Sequence, residues 1–248
     1  GRVLIGLIEV LAESDSISEI ILAVTSAKVV PQKFQNKQKI KICIIPISFI
    51  RSELFLSDLT KNNVELFISP YPKLPLFGCY CKCIHIIHDV LDIRHDVYKN
   101  RLRVFFDKLR LKSALKSSSL TWYVSSWSFK ETKKIVDFVE EHKYEIRYNG
   151  IDERFNPNFN DKDLTCLDKY DLPHRYILII GNGSPHKNLG VLLEISTKIN
   201  WKMVFVGVSE EKKKYWQKKY SSQHSKWIQY VDDEDFPSLI RSAFCIAQ

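Results

Sequence analysis

Strand-length apolar runs separated by helical stretches recur along most of the chain, and this alternation restricts its fold more than any other feature. Residues 19–24, 39–45, 64–68, 83–87, 120–124 and 144–148 read as strands, being short and rich in apolar residues. Between them, Leu4, Leu7, Ile8 and Leu11 recur at helical spacing, 52–60 forms a short helix and 96–117 a long basic one. A further helix over 128–141 is expected to open with a capping box of Ser128 and Glu131, whose side chains would satisfy each other's helix-start amides. Pro70 and Pro72 end the strand before them, because proline lacks an amide donor and fixes φ. Strands joined through helices imply right-handed crossovers and a mainly parallel sheet, so the class is α/β.

Periodicity fades after residue 150, and Asn156-Pro157-Asn158-Phe159-Asn160-Asp161 is loop chemistry. The expected organisation is a first domain over 1–155, a linker over 156–174 and a second α/β set over 175–248. That second set reads as strands at 175–180, 202–206 and 227–230, and helices at 188–199, near Glu210 and at 234–244. The chain opens at a helix with no strand leading into it and closes part-way through a strand at 245–248, so both ends are expected to be trimmed.

Lys and Arg number 37 against 29 Asp and Glu, a net charge of +8 that suits anionic partners. Part of the excess is local, in Lys212, Lys213, Lys214, Lys218 and Lys219 around Tyr215 and Trp216. This run reads either as a solvated helix face or as a peripheral contact with an acidic membrane surface. No aromatic-interleaved basic motif supports nucleic acid as a partner. Cys79, Cys81, Cys83, His85 and His88 invite a metal reading, but their spacing lacks the turn-separated pairs of zinc sites. No metal is expected, and the cysteines read as reduced thiols of a cytoplasmic protein. No apolar run approaches the ~20 residues of a membrane-spanning helix.

Three segments carry side chains suited to chemistry. Ile179-Ile180-Gly181-Asn182-Gly183-Ser184-Pro185-His186-Lys187-Asn188-Leu189 is a buried strand, a Gly-rich turn and a helix start. Glycines admit close backbone approach, helix-start amides attract anions, and Lys187 adds a full positive charge. The P-loop spacing is not met, since Asn188 stands where Ser or Thr is needed. A plain strand-to-helix turn with an exposed lysine is the structural alternative. The second segment, His88-Asp89-Val90-Leu91-Asp92-Ile93-Arg94-His95, follows a buried strand and clusters a proton-transfer group with a guanidinium able to grip an anion. The third, Tyr148-Asn149-Gly150-Ile151-Asp152, is locally a turn, with Gly150 supplying conformational freedom and Asn149 tolerating the left-handed region.

In order along the chain, these segments resemble the retaining glycosyltransferases of family 4, which have the GT-B fold. Gly1-Arg2-Val3 is similar to the family's "GIGR" helix start, His88-Asp89 to its "HD", Ser125-Ser126-Trp127-Ser128 to its "S-x-x-S" helix start and Asn149-Gly150-Ile151-Asp152 to its "NGVD" turn. Residues 176–193 resemble "YILYVG…PHKNL…LL", Val204-Phe205-Val206-Gly207 "LVIVG", and 231–239 the "V-x-D-E-x-L-x-x-L" segment, with Ala243 matching the alanine that follows it.

The resemblance implies two Rossmann-like parallel-sheet domains facing a cleft, the second incomplete. It implies transfer of a sugar from a nucleotide-diphosphate sugar, with retention and without a metal, to a saccharide or lipid-linked acceptor in surface polysaccharide or glycolipid synthesis. The nucleotide sugar would be a co-substrate, with no cofactor, and the work would be done in the cytoplasm or at the inner face of the membrane. By this analogy the donor diphosphate meets Gly181, Asn182, Gly183, Lys187 and Asn188. His88 lies beside the transferred sugar, and Gly1, Arg2, Asp89, Arg94, Ser125, Asn149 and Gly150 line the acceptor side. The pattern departs from the family where Asn182, Gly183 and Ser184 replace an arginine that shares the diphosphate charge. The E-x7-E segment would lie beyond Gln248 and the first Gly-rich loop before or at Gly1, so this stretch alone is expected to be inactive. A non-catalytic nucleotide-sugar binder or scaffold of the same fold is the alternative.

Overall fold

The computed structural model describes residues 2–61, 64–94, 101–136, 143–220 and 224–247. The chain divides into two compact units, Gly1–Gly150 and Ile151–Gln248.

The first unit contains two parallel ladders. β1 (Ile20–Val24) pairs with β2 (Ile40–Ile44) from Ile20 opposite Ile40 to Val24 opposite Ile44. Helix α1 (Arg2–Glu13) and the short α2 (Gln32–Gln35) cover this pair, burying Ile8, Phe34 and Ile40 together with Val30. After α3 (Phe49–Leu59) comes a four-stranded sheet in the order β3 (Leu66–Ser69), β4 (Lys82–Ile87), β5 (Leu120–Tyr123), β6 (Tyr144–Ile146). Among the described residues the two ladders are separate sheets. The β4–β5 connection holds α4 (Leu91–Arg94) and α5 (Arg101–Ser117), and the β5–β6 connection holds α6 (Ser126–Ile135). Ile87, Ile93, Leu111, Leu115 and Tyr123 form one buried cluster under these helices.

α6 starts one turn before the capping box expected at Ser128 and Glu131, at the Ser125–Ser128 segment that the resemblance marks as a helix start. Ser125 is its N-cap, with Ser125 and Ser128 exchanging bonds in a reciprocal box. Glu131 is instead a buried carboxylate in the second turn, held by Arg94 and Lys134. Residues 96–100 of the helix expected over 96–117, and 137–141 of that expected over 128–141, lie outside the described residues.

The second unit is a three-layer α/β arrangement. Its four strands are all parallel, in the order β10 (Cys245–Ile246), β7 (Ile177–Ile180), β8 (Met203–Val206), β9 (Ser225–Ile228). Side chains alternate between the faces, as the two-residue repeat of a strand requires. Leu178, Val204, Val206 and Ile228 join the cluster that contains Cys166, Leu167 and Leu239, from α7 (Asp161–Lys169) and α10 (Phe236–Ser242). Ile179, Met203 and Phe205 join the opposite cluster, with Leu189 and Leu193 of α8 (Leu189–Ser196) and Trp216 of α9 (Glu210–Lys219).

Helix α7 lies inside the segment read as a linker. Asn160 caps it reciprocally with Asp163, and its Cys166 and Leu167 are buried. Asp163, fully buried, receives bonds from both Nε and Nη2 of Arg241 in α10, the shortest 2.7 Å. Burial alone would raise the Asp163 pKa; bonds from Arg241, Ser238 and the Asn160 amide hold it below the usual carboxylate value. Among the described residues no helix is long and apolar enough to cross a membrane.

Candidate functional site

Strand order singles out the end of β7. β8 and β9 add to one side of β7 and β10 to the other, while α8 and α10 lie on opposite faces. At such a reversal the connections leave in opposite directions and open a crevice beyond the strands' carboxyl ends, where α/β sheets bind ligands.

The β7–α8 connection is built for close approach. The Gly181 amide donates to Val206 O at 2.9 Å, which carries the sheet one residue past β7. Asn182 Oδ1 accepts from the Ser184 amide at 3.0 Å. Gly183 is buried at φ +69°, a backbone region that favours glycine, and a Cβ there would lie 3.1 Å from Lys212 Cδ. Residues Pro185–Lys187 make one 3-10 turn, closed by the Lys187 amide on Ser184 O at 2.9 Å. Asn188, at φ 46° and ψ 40°, is left-handed, and its side chain caps no amide of α8. A non-glycine residue in that region marks stored local strain.

Two lysines cross this turn. The Lys187 stem lies over Gly181, so a Cβ at 181 would stand 3.3 Å from Lys187 Cγ. Lys212 reaches in from the first turn of α9, which Ser209 caps by accepting from the Lys212 amide, and its Nζ donates to Asn182 O at 2.9 Å. Among the described residues neither ammonium is paired with a carboxylate. The turn therefore presents two positive charges beside a glycine backbone and a helix start. That arrangement favours an anion with more than one charged oxygen, such as a diphosphate.

Sequence reasoning named Gly181, Asn182, Gly183, Lys187 and Asn188, and the structure brings them together. It missed Lys212, which stood in a run of like residues with nothing local to separate it. Of the rest of that run, Lys214, Tyr215, Lys218 and Lys219 are exposed, while two residues are tied into the unit. Lys213 pairs with Glu210, and Trp216 packs against Gly190 of α8 and the core beneath it.

In the first unit His88 and Asp89 are exposed directly after β4. Asp89 Oδ1 accepts from the Leu91 amide at 3.1 Å and so orders the entry to α4. Arg94, expected to grip an anion, is bound to Glu131, a buried carboxylate that also accepts from Lys134 at 2.6 Å. The Lys134 bond first, and Arg94 after it, hold the Glu131 pKa below its ordinary value. Ser125 serves as the α6 cap. Asn149 and Gly150 are exposed, and neither has a positive φ. A Cβ at Gly150 would meet nothing within 4 Å, so the conformational freedom expected of it is not used. Arg2 is the exposed first residue of α1; Gly1 and His95 lie outside the described residues.

His85 points into the sheet core, with Nε2 2.9 Å from Thr121 Oγ1. Cys79 Sγ donates to Cys81 O and Cys83 Sγ to Ser117 O, and interaction between the two thiols lowers the Cys83 pKa to about 7 and raises that of Cys79. Among the described residues no three His, Cys, Asp or Glu side chains are grouped to hold a metal ion. A surface hollow of about 340 Å³ in the first unit is lined by residues including Leu54, Asp58, Phe77 and Tyr80, none of them an expected site residue.

No protein-family model matches the chain. No curated protein matches it either.

Proposed function

We propose that the chain is a glycosyltransferase that uses a nucleotide-diphosphate sugar, and that the β7–α8 turn receives the donor's diphosphate. The observation that carries this reading is the pair of lysines, Lys187 and Lys212, crossing a glycine turn at the reversal point of a parallel sheet. When the bond from sugar C1 to the phosphate oxygen breaks, its electron pair leaves with the diphosphate, and negative charge grows where these ammonium groups sit. Preorganised charge of this kind stabilises a transition state without reorganising at the moment of reaction. Lys212 thus takes the part that an arginine at 182–184 would otherwise play. The ordered motifs extend the proposal to a retaining transfer, with a saccharide or lipid-linked acceptor, in the cytoplasm at the inner face of the membrane. His88, exposed after β4, is the proposed contact for the transferred sugar and the acceptor hydroxyl.

Calorimetric titration of UDP and GDP into the wild type and Lys187→Ala tests the donor site. The expected loss is roughly 1.5–3 kcal/mol, the scale of a hydrogen bond to a charged group. Equal nucleotide affinity in the two proteins would remove Lys187 from the site. The absence of a guanidinium at Asn182, Gly183 and Ser184 favours a second reading, a nucleotide-sugar binder without catalysis. Tight binding with neither hydrolysis nor transfer in the longest chain that contains this sequence would select it.

A further inference from the structure

We propose that α5 docks the first unit on a membrane surface of acidic lipids. This helix has two apolar stripes. Leu111, Ala114 and Leu115 are buried and Val104 packs beside them. Leu102, Phe105, Phe106 and Leu109, spaced i, i+3, i+4, i+7, fall on the opposite side at 100° per residue. They are 71%, 57%, 61% and 48% exposed, far more than a helix turned wholly towards its core would leave. Phe49 and Ile50 at the start of α3 are also exposed, and the Arg110 guanidinium, 5.8 Å from the Phe49 ring centre, links the two helices.

Charge decides what this face meets. The 17 residues of α5 hold six Lys or Arg against one Asp. Arg103 flanks the outer stripe on one side and Arg101 and Lys112 on the other, and Lys116 closes the stripe beyond Leu109. Aromatic and leucine tips inside a cationic border match the boundary of acyl chains and anionic headgroups. A second copy of the same face would set like charge against like, which disfavours self-association. The lysine run of α9 offers one exposed aromatic, Tyr215, and no apolar stripe, since its Trp216 is packed into its own unit. This inference does not depend on the glycosyltransferase reading.

The test is co-sedimentation of the full chain with vesicles of equimolar phosphatidylglycerol and phosphatidylcholine, and with vesicles of phosphatidylcholine alone. Binding is expected only to the anionic vesicles. Phe105→Ser with Phe106→Ser should lower the partition coefficient roughly tenfold or more. Lys112→Gln with Lys116→Gln should lower it roughly fivefold per charge and keeps the test valid if the aromatic variant does not fold. Lys214→Gln with Lys218→Gln in α9 should bind as the wild type does. Equal binding to both vesicle types, no binding, or wild-type binding by both α5 variants overturns the proposal. So does a loss in the α9 variant as large as in α5. Self-association that the aromatic variant abolishes, without vesicle binding, would make the face an interface between copies.

Discussion

Replacing Lys212 by Met keeps the stem that packs on Gly183 and removes only the charge that reaches Asn182 O, so it isolates the electrostatic part of the site. Two unit charges about 4 Å apart interact by about 4 kcal/mol at the effective dielectric of a protein surface. Lys212 already commits one of its three donors to Asn182 O at 2.9 Å, and reorienting the ammonium toward a phosphate costs about 1 kcal/mol of that bond. Partial desolvation and salt screening reduce the remainder, leaving about 1–2 kcal/mol, or roughly a 5- to 30-fold loss of nucleoside-diphosphate affinity. Calorimetry with UDP and GDP at low and high salt would measure it, and the variant should show the weaker salt dependence. Lys187→Ala combined with Lys212→Met should lose more or less than the sum of the single changes, because both charges act on one ligand. Gly183→Ala serves as an independent perturbation. It brings a Cβ to 3.1 Å from Lys212 Cδ in a backbone region costing an L-residue about 1–2 kcal/mol, so it should weaken both the fold and the site. Unchanged affinity in Lys212→Met, with the protein folded, would refute the two-lysine site.

His88→Ala should lower sugar transfer more than nucleotide affinity, measured by turnover beside calorimetry; equal losses would take His88 out of its proposed role. Arg241→Ala leaves the buried Asp163 carboxylate unpaired and should destabilise the second unit by about 3–5 kcal/mol in urea unfolding. The Asp163 pKa is depressed in the folded state, so its contribution is complete above the unfolded carboxylate value of about 4 and is lost as pH falls through the folded value. Unfolding midpoints should therefore drop on acidification in the wild type, and by less in Asp163→Asn.

The strands were legible because burial on both faces leaves them continuously apolar, as in Met203–Val206, where every residue is buried. Helix α7 was not. Its first turn is acidic, and the residue that anchors it, Asp163, looks like a solvent-facing one until Arg241, 78 residues later, reaches it. The capping box of α6 was read one turn late for a similar reason, although the S-x-x-S resemblance falls on the true start at Ser125–Ser128. A serine pair can cap reciprocally as well as Ser with Glu, and the Glu131 that completed the expected pattern belongs to Arg94, 37 residues away. Local propensity records what a residue does with its neighbours; it carries nothing about a partner supplied by topology.

The same division explains why the basic residues could be summed from the sequence but not placed. A net charge of +8 suits an anionic partner without saying which surface would meet it. The α9 run drew attention because its lysines are consecutive, yet what sets Lys212 apart is the Ser209 cap, which starts the helix with Lys212 across the β7–α8 turn. In α5 the outward stripe was concealed by the inward one. Apolar residues on opposite sides of a helix cancel in any measure of amphipathicity, so the segment reads merely as a long basic helix. Only burial separates the stripe that holds the fold from the stripe left for a partner. A sequence pattern of this kind, apolar residues at helical spacing on both sides of a cationic helix, is thus a reason to ask what the second side touches.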